Sequence, residues 1–364
     1  LKLRHLDELH PVCPVCRVER NEENPVSVTI NSSPATDDVT EGIVQCPAPA
    51  CQREYPIIDG IPLLVPDVPG YLGAQLAHIT MRDDLSGVTE SILGEGAGAG
   101  SPFDVARTQL SSYAWDHYGE WDPELESQSS AKPGSVARVL EAGLALAERQ
   151  GVTILGTGPL LDLGCGAGRS TFELANRTGN VVVGVDLGYH LLRQASWVLR
   201  HGSTRYPLRR GGLLYQRREF PVPIGSGARV DFWAGDAINL PFPSGSFAGA
   251  AVLNLLDCAY SPLALLQELT RVLRPGAAVV IAAPYDWTPS ATPVEAWIGG
   301  HSPRSLGGGG SAPVLRALLT PGGHPVGVAG LEIVAELDDI PWSVRMHDRS
   351  VVGYRVHLVV AARR

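Results

Sequence analysis

Four cysteines near the N-terminus have the types and spacing to hold a metal. Cys13-Pro-Val-Cys16 and Cys46-Pro-Ala-Pro-Ala-Cys51 are two tight pairs with 29 residues between them. Each pair lets two thiolates point at one ion from a turn, and two such turns close a tetrahedral zinc site. With Cys13, Cys16, Cys46 and Cys51 all as ligands no coordination position stays open, so the metal is expected to hold the fold rather than to react. The competing readings are four buried free thiols, or a redox pair, which would want a thioredoxin-like strand and helix around it. Cys165 and Cys258 stand alone downstream and read as free thiols, a pattern that predicts a reducing cytoplasm.

A glycine turn and three aspartates form the second group. Leu160-Leu-Asp162-Leu runs into Gly164-Cys165-Gly166-Ala-Gly168, and Arg169 and Ser170 then open a helix. A nicotinamide or flavin site needs G-x-G-x-x-G, so that a helix N-terminus can receive a pyrophosphate. Here the third glycine falls one place early, and Arg169 fills its position. Asp162 would repel a pyrophosphate but suits the ammonium of a bound amino acid. Asp186, at the end of the valine-rich run 181–185, could accept hydrogen bonds from both hydroxyls of a ribose. Asp236, in Trp233-Ala-Gly235-Asp-Ala237, could reach an adenine amino group. Three carboxylates in this order at successive strand ends point to S-adenosylmethionine, which combines an ammonium, a sulfonium, a ribose and an adenine. The expected contacts are Asp162, Gly164, Cys165, Gly166, Asp186, Leu187, Gly235, Asp236 and Ala237.

The elements that must position these residues alternate between helical and extended pattern. Helices are expected at Val136–Arg149, Ser170–Asn176 and Pro262–Val272, and strands at Leu160–Leu163, Val181–Val185, Gly249–Leu253, Ala277–Ala282 and Val356–Val360. That alternation predicts an α/β fold with a doubly wound sheet. Three stretches rich in Gly, Ser or Pro interrupt it: 86–102, read as a flexible link, 122–134, and 303–313, read as a mobile loop around Gly307–Gly310. The expected organisation is a zinc-ribbon-like domain over 1–70, a linker over 71–102, and an α/β domain over 103–364 with an insert at about 200–229.

The strings LLDLGCGAGRST, VVVGVDL, GDAINLPFPSGSFAGAAVLNLL and LTRVLRPGAAVVIAAP resemble the class I methyltransferase family. The resemblance implies a seven-stranded sheet, S-adenosylmethionine as methyl donor, and cofactor or substrate contacts at Asn254 and Leu255 after the fourth strand. The cysteine pairs with REYPIIDGIPLLVPD resemble a small zinc-ribbon family that includes a methyltransferase-activating subunit, which implies a protein partner for the ribbon. SSYAWDHYGEW, RYPL, RVDFWAGDAINLP, LNLLDCAYSP, PYDW with PSATPVEAWIGG, and DIPWSVRMHDR resemble the C-terminal domain of ovothiol-forming enzymes, which methylates the imidazole of 5-thiohistidine. The oxidative sulfur-inserting domain of that family has no counterpart here. The resemblance implies a small-molecule N-methyltransferase acting on histidine or a related imidazole. Its pocket would draw on Trp115, His117, Tyr118, Tyr285, Trp287, Trp297, Trp342, Asp257, Asp286, Arg345 and His347. Tyr118, Asn254, Asp257, Tyr285 and His347 are the candidate catalytic residues.

Composition narrows the classes. The chain has 364 residues, 44% hydrophobic and 18% charged, enough to bury a sizeable core. No apolar run is long enough to span a bilayer, and the first ten residues lack a secretion-signal pattern. The chain begins at Leu1 rather than Met, so part of the natural N-terminus is expected to be missing. A net charge of −9 argues against a nucleic-acid binder. The exception is the segment Arg193–Arg218, with seven arginines and no acid, which reads as a solvated basic loop or as a surface for an anionic partner. With the ribbon, it supports the alternative of a ribosomal-RNA methyltransferase. A cofactor-binding scaffold whose ribbon engages a partner protein is the non-enzymatic alternative.

Overall fold

The computed structural model describes residues 1–29, 37–125, 131–225 and 227–364. The Gly/Ser/Pro-rich stretch at 122–134 therefore lies partly outside the described residues.

The N-terminal part begins with α1 (Leu3–Leu9) and α2 (Pro14–Arg20). An antiparallel sheet follows, of β1 (Ser27–Thr29), β2 (Gly42–Gln45), β3 (Glu54–Ile58) and β4 (Ile61–Pro62). Next come α3 (Val68–Ile79), α4 (Gly87–Ala97), α5 (Pro102–Tyr118) and α6 (Ser135–Arg149). The α/β body runs β5 (Leu160–Leu163), α7 (Arg169–Thr178), β6 (Val182–Asp186), α8 (Tyr189–His201), β7 (Ser203–Gly211), β8 (Leu214–Pro221), β9 (Val230–Ala234) and β10 (Phe247–Leu253). It closes with α9 (Pro262–Val272), β11 (Leu273–Ala283), α10 (Ser311–Leu318), β12 (Leu331–His347) and β13 (Ser350–Arg363).

Seven strands form the main sheet in the order β12-β13-β11-β10-β5-β6-β9. The central pairings are parallel, and only β13 runs antiparallel to both of its neighbours. This is the α/β, doubly wound, class I methyltransferase arrangement. Its strands β5, β6, β9 and β10 are buried on both faces, so alternate residues feed two cores. Val182, Phe232 and Ala251 pack with α6, α7 and α8, while Val183, Trp233 and Val252 pack with α9 and α10.

The second core also contains Leu9, Cys13, Cys16, Val44, Cys46, Tyr55 and Leu64. The cysteine module is therefore part of the layer that covers one sheet face. Leu63 adds a parallel bridge to Ala234, with Leu64 N–H donating to the Ala234 carbonyl at 3.0 Å, which occupies the open edge of β9. The His5 ring meets the buried Asp231 carboxylate at the start of the same strand.

Residues 86–102, expected to be a flexible link, hold α4, which Ser86 caps by accepting from Thr89 N–H at 3.2 Å. The glycine run 307–310, expected to be a mobile loop, forms a turn with Gly307 and Gly308 at φ 64° and 69° and leads directly into α10. Most of the seven-arginine segment is partly buried, with Arg218 buried and Arg200 exposed. It spans α8 and the hairpin β7–β8, and its guanidinium groups bind within the chain. Arg193 pairs with Asp59 at 3.0 Å, Arg210 with Asp348 at 2.9 Å and Arg217 with Glu90 at 2.6 Å. Arg218 holds Asp122 and Glu124, and Arg205 donates to the Asp83 carbonyl. The feature that suggested an RNA acceptor thus clasps the hairpin to the N-terminal helices.

Candidate active site

The C-terminal ends of β5, β6, β9 and β10 open into a cavity of about 510 Å³. It lies where connections leave the central strand in opposite directions, the crevice in which open α/β sheets bind ligands.

One side of the cavity is built by the glycine turn. Gly164, Gly166 and Gly168 all have positive φ (75°, 53° and 92°), which lets the chain reverse tightly between β5 and α7. A Cβ on Gly164 would come within 3.0 Å of Leu255, so the turn packs directly against the loop after β10. Asp186 receives Gly188 N–H on Oδ1 at 2.8 Å and Gly166 N–H on Oδ2 at 2.9 Å. Each oxygen keeps a further acceptor direction, and the residue lines the cavity. Gly164, Cys165, Leu187, Gly235, Asp236, Ala237, Asn254 and Leu255 line it as well. Asp236 is steadied by Ile238 N–H at 3.1 Å and Asn239 at 3.3 Å.

Asp162 is placed differently from the expectation. It does not line the cavity; Oδ2 instead accepts from Ser170 at 2.7 Å and Thr171 at 2.6 Å, which fastens the start of α7 to β5. Its role is to position the helix, while Ser170 reaches the cavity wall. Gly166 likewise acts through its N–H on Asp186.

The other side holds polar groups among aromatic ones. Asn254 follows β10 at φ 58°, and its N–H donates to the Ala282 carbonyl at 2.7 Å. The turn that follows carries Asp257, Cys258 and Tyr260 along the cavity. Asp257 is buried; Oδ2 accepts Asp286 N–H at 2.5 Å, and Oδ1 has no partner. Asp286 accepts from Tyr354 Oη at 2.9 Å. Trp342 and Val344 line the cavity too, and Tyr113 and His117 of α5 reach it from against the glycine turn, where a Cβ on Gly166 would come 3.1 Å from Tyr113 and 3.6 Å from His117. His117 Nδ1 accepts from Arg169 N–H at 3.0 Å, so the neutral ring carries its proton on Nε2. Burial, with the Arg169 charge, lowers its pKa to about 3, so the ring is neutral at physiological pH.

Several residues proposed for this pocket lie elsewhere. Tyr118 is fully buried beneath the glycine turn, donating to the Ala167 carbonyl. Tyr285 turns away at φ 59° and bonds His357 Nδ1 at 2.7 Å. His347 sits at the far end of β12, where its Nδ1 accepts from Arg349 N–H at 3.3 Å. Trp115 is core, Trp287 donates to Ser311 Oγ, Trp297 donates to the Thr292 carbonyl, and Arg345 pairs with Asp348. Tyr113, Cys258, Tyr260 and Tyr354 were not anticipated. Tyr113 could have been found by helical phase, since it precedes His117 by four residues on α5. Tyr354 could not, because β12 and its long pairing with β13 were not read from the sequence.

Buried acids give the structure a pH signature. Burial pushes the Asp116 and Asp162 carboxyls up to about 6 and raises Asp186 and Asp257 too. A folded-state pKa above the unfolded value means the native state holds the proton more tightly. The stabilisation is then full at low pH and is lost as pH rises through the folded value. Between about pH 4 and pH 7, Asp116 and Asp162 should each cost stability on the order of 3 kcal/mol. Thermal melts of Asp116→Asn should show a shallower fall across that range; a slope equal to wild type would contradict this.

In the N-terminal module, the Sγ atoms of Cys13, Cys16, Cys46 and Cys51 all lie within 4.8 Å of one another. Cys13 and Cys51 are 3.7 Å apart, as are Cys16 and Cys46. Four thiolates about 2.3 Å from one zinc ion are separated by about 3.8 Å, so the cluster has the size a tetrahedral site needs. Cys165 and Cys258 are remote from it and remain free thiols.

Residues 161–281 match the methyltransferase domain family. Among curated proteins, the chain is 31% identical over 167 residues to O-methyltransferase cnsE of Penicillium expansum, covering 46% of this chain and 50% of that protein. It is 24% identical over 165 residues to norajmaline N-methyltransferase of Rauvolfia serpentina, covering 45% and 49%. The chain thus spans about half the length of the curated relatives it matches. Among solved structures, magnesium protoporphyrin IX methyltransferase from Synechocystis PCC 6803 with bound S-adenosylhomocysteine aligns over 71% of this chain and 99% of that one, at 14% identity and a TM-score of 0.40. Residues 161–281 are thus a methyltransferase-type domain.

Proposed function

We propose that this protein transfers the methyl group of S-adenosylmethionine to a ring nitrogen of a small imidazole, histidine or a derivative of it. The observation that carries the reading is one cavity with two unlike ends: the glycine turn with Asp186 and Asp236, and the pocket formed by Asp257, Asp286, Tyr354 and Trp342. At the first end Asp186 would hold the ribose hydroxyls, Asp236 would face the adenine, and Gly164 and Cys165 would follow the methionine part. When bound, the cofactor supplies an electrophilic methyl group on a sulfonium.

The second end supports the acceptor class. Asp257 Oδ1 is buried and lacks a donor, which is costly unless a ligand provides one. A neutral imidazole offers one N–H and, on its other nitrogen, one lone pair. An N–H donated to Asp257 Oδ1 would orient the ring, favour the reactive tautomer and leave the opposite nitrogen facing the methyl. Orientation and exclusion of water are then the main demands on the site, and the aromatic walls meet them.

Asp257→Asn tests this. Loss of one charge-assisted hydrogen bond should lower kcat/KM for the imidazole by roughly 10- to 100-fold. Cofactor affinity should stay unchanged. Unaltered kcat/KM would remove Asp257 from the acceptor site.

The four cysteines are read as a structural zinc site. The size of the cluster and its lack of any other kind of ligand support this. The module's inner side contributes to the core over the sheet, so the metal's role would be to hold one layer of the enzyme; a protein partner would have to use the module's outer side.

A further inference from the structure

A second, smaller cavity of about 100 Å³ lies between α3, α5, α8 and the β7–β8 hairpin. It is separate from the methyl-transfer site and has room for only a few non-hydrogen atoms. Buried polar atoms in folded proteins nearly always find partners. Here a group of them does not. His78 Nε2, Arg107 Nε and Nη1, both ring nitrogens of His190, Trp197 Nε1 and Tyr206 Oη are buried without a hydrogen-bond partner, and all five residues line this cavity. Arg107, His190 and Tyr206 are only 5%, 8% and 1% exposed.

The group is rich in donors. The Arg107 guanidinium and the Trp197 indole can only donate, and the Tyr206 hydroxyl is free to. His190, 4.7 Å from His78 between ring centroids, can donate from one nitrogen when neutral and from both when protonated. Five arginines line the cavity against two acids, Asp83 and Glu90. Glu90 is committed to Arg217 at 2.6 Å, and Arg193 is tied to Asp59. Arg82 pairs with Asp84, and Arg205 donates to the Asp83 carbonyl and stacks over Trp197, so Arg107 is the arginine of this cavity whose Nε and Nη1 are buried without a hydrogen bond. It stacks 3.9 Å from the Tyr215 ring centroid and has no ion-pair partner among the described residues. A buried charge in that position calls for a counter-ion.

We propose that this cavity binds a small oxyanion, with Arg107 as its counter-ion and Trp197, Tyr206 and His190 as further donors. The oxyanion is either a tetrahedral phosphate or sulfate group or a carboxylate. Bound there, it would tie α3, α5, α8 and β7 together.

Thermal denaturation of the full chain in chloride buffer at constant ionic strength tests the assignment, with inorganic phosphate, sulfate or acetate titrated in. The expected result is a saturable rise in Tm. Phosphate and sulfate would act together on a tetrahedral site, and acetate alone on a carboxylate site. Arg107→Met should weaken the effect by about tenfold or more in concentration. Tyr206→Phe, which keeps the ring, should weaken it less and keeps the test open if Arg107→Met does not fold. No saturable rise in the wild type, or the same rise in both variants, would overturn the proposal.

Discussion

Asp186→Ala should abolish useful cofactor binding. If the carboxylate accepts from two ribose hydroxyls, their loss removes two charge-assisted hydrogen bonds, each about 1.5–3 kcal/mol. The dissociation constant should then rise by roughly 10²-fold or more. The residue also collects Gly166 and Gly188 N–H groups, so its removal loosens the glycine turn that shapes the same cavity. Asp186→Asn separates the two effects. Its single carbonyl oxygen can still accept from a backbone N–H, so the turn should hold better while the ribose contact weakens. Calorimetric titration with S-adenosylhomocysteine would read both variants, and retention of wild-type affinity in Asp186→Ala would exclude the ribose role.

If the four cysteines hold zinc as proposed, removing it should have a comparable effect, on stability rather than on binding. Structural zinc in small domains contributes about 10–16 kcal/mol, as much as the whole net stability of a typical domain, about 5–15 kcal/mol. Here Cys13, Cys16 and Cys46 lie in the core that also holds the sheet residues Val183, Trp233 and Val252. Loss of the ion should therefore uncover a sheet face as well as unfold a small module. Elemental analysis should find one zinc per chain, and Cys46→Ser or a strong chelator should lower Tm by roughly 10 °C or more. A metal-free protein that melts with the zinc-loaded one would show that the thiols hold together without an ion.

The α/β body was legible where local pattern and final environment agree. Helix α9 begins after Ser261 with Pro262 at its first position, and β5 and β6 are short apolar runs, so capping, proline and burial all give the same answer. β12 was not legible because it is long and half-exposed and mixes acids with apolar residues; its pairing with β13 over much of its length holds it. The site followed the same division. Residues on the glycine turn and strand ends are fixed by backbone geometry, and Asp186, Asp236 and Asn254 fall on the cavity. Residues chosen because they sit in a distinctive string were less well placed. In α5, Tyr113 and His117 are one turn apart and share a face, while Tyr118, one residue further on, points into the core. At Tyr285 the positive φ sends the ring away while Pro284 and Asp286 stay on the wall. The arginine segment misled because charge alone does not reveal partners that lie more than a hundred residues away, as Glu90 does from Arg217.

The most direct test of methyl transfer to an imidazole is mass spectrometry of acceptors incubated with purified protein and S-adenosylmethionine. Histidine, its thiol, peptide and N-methylated derivatives would be offered in parallel, with total RNA as competing acceptor. The account predicts a gain of one methylene mass on an unmethylated imidazole, lost in Asp186→Ala and reduced in Asp257→Asn. Methylated RNA beside unchanged imidazoles, or transfer to a hydroxyl acceptor alone, would contradict it.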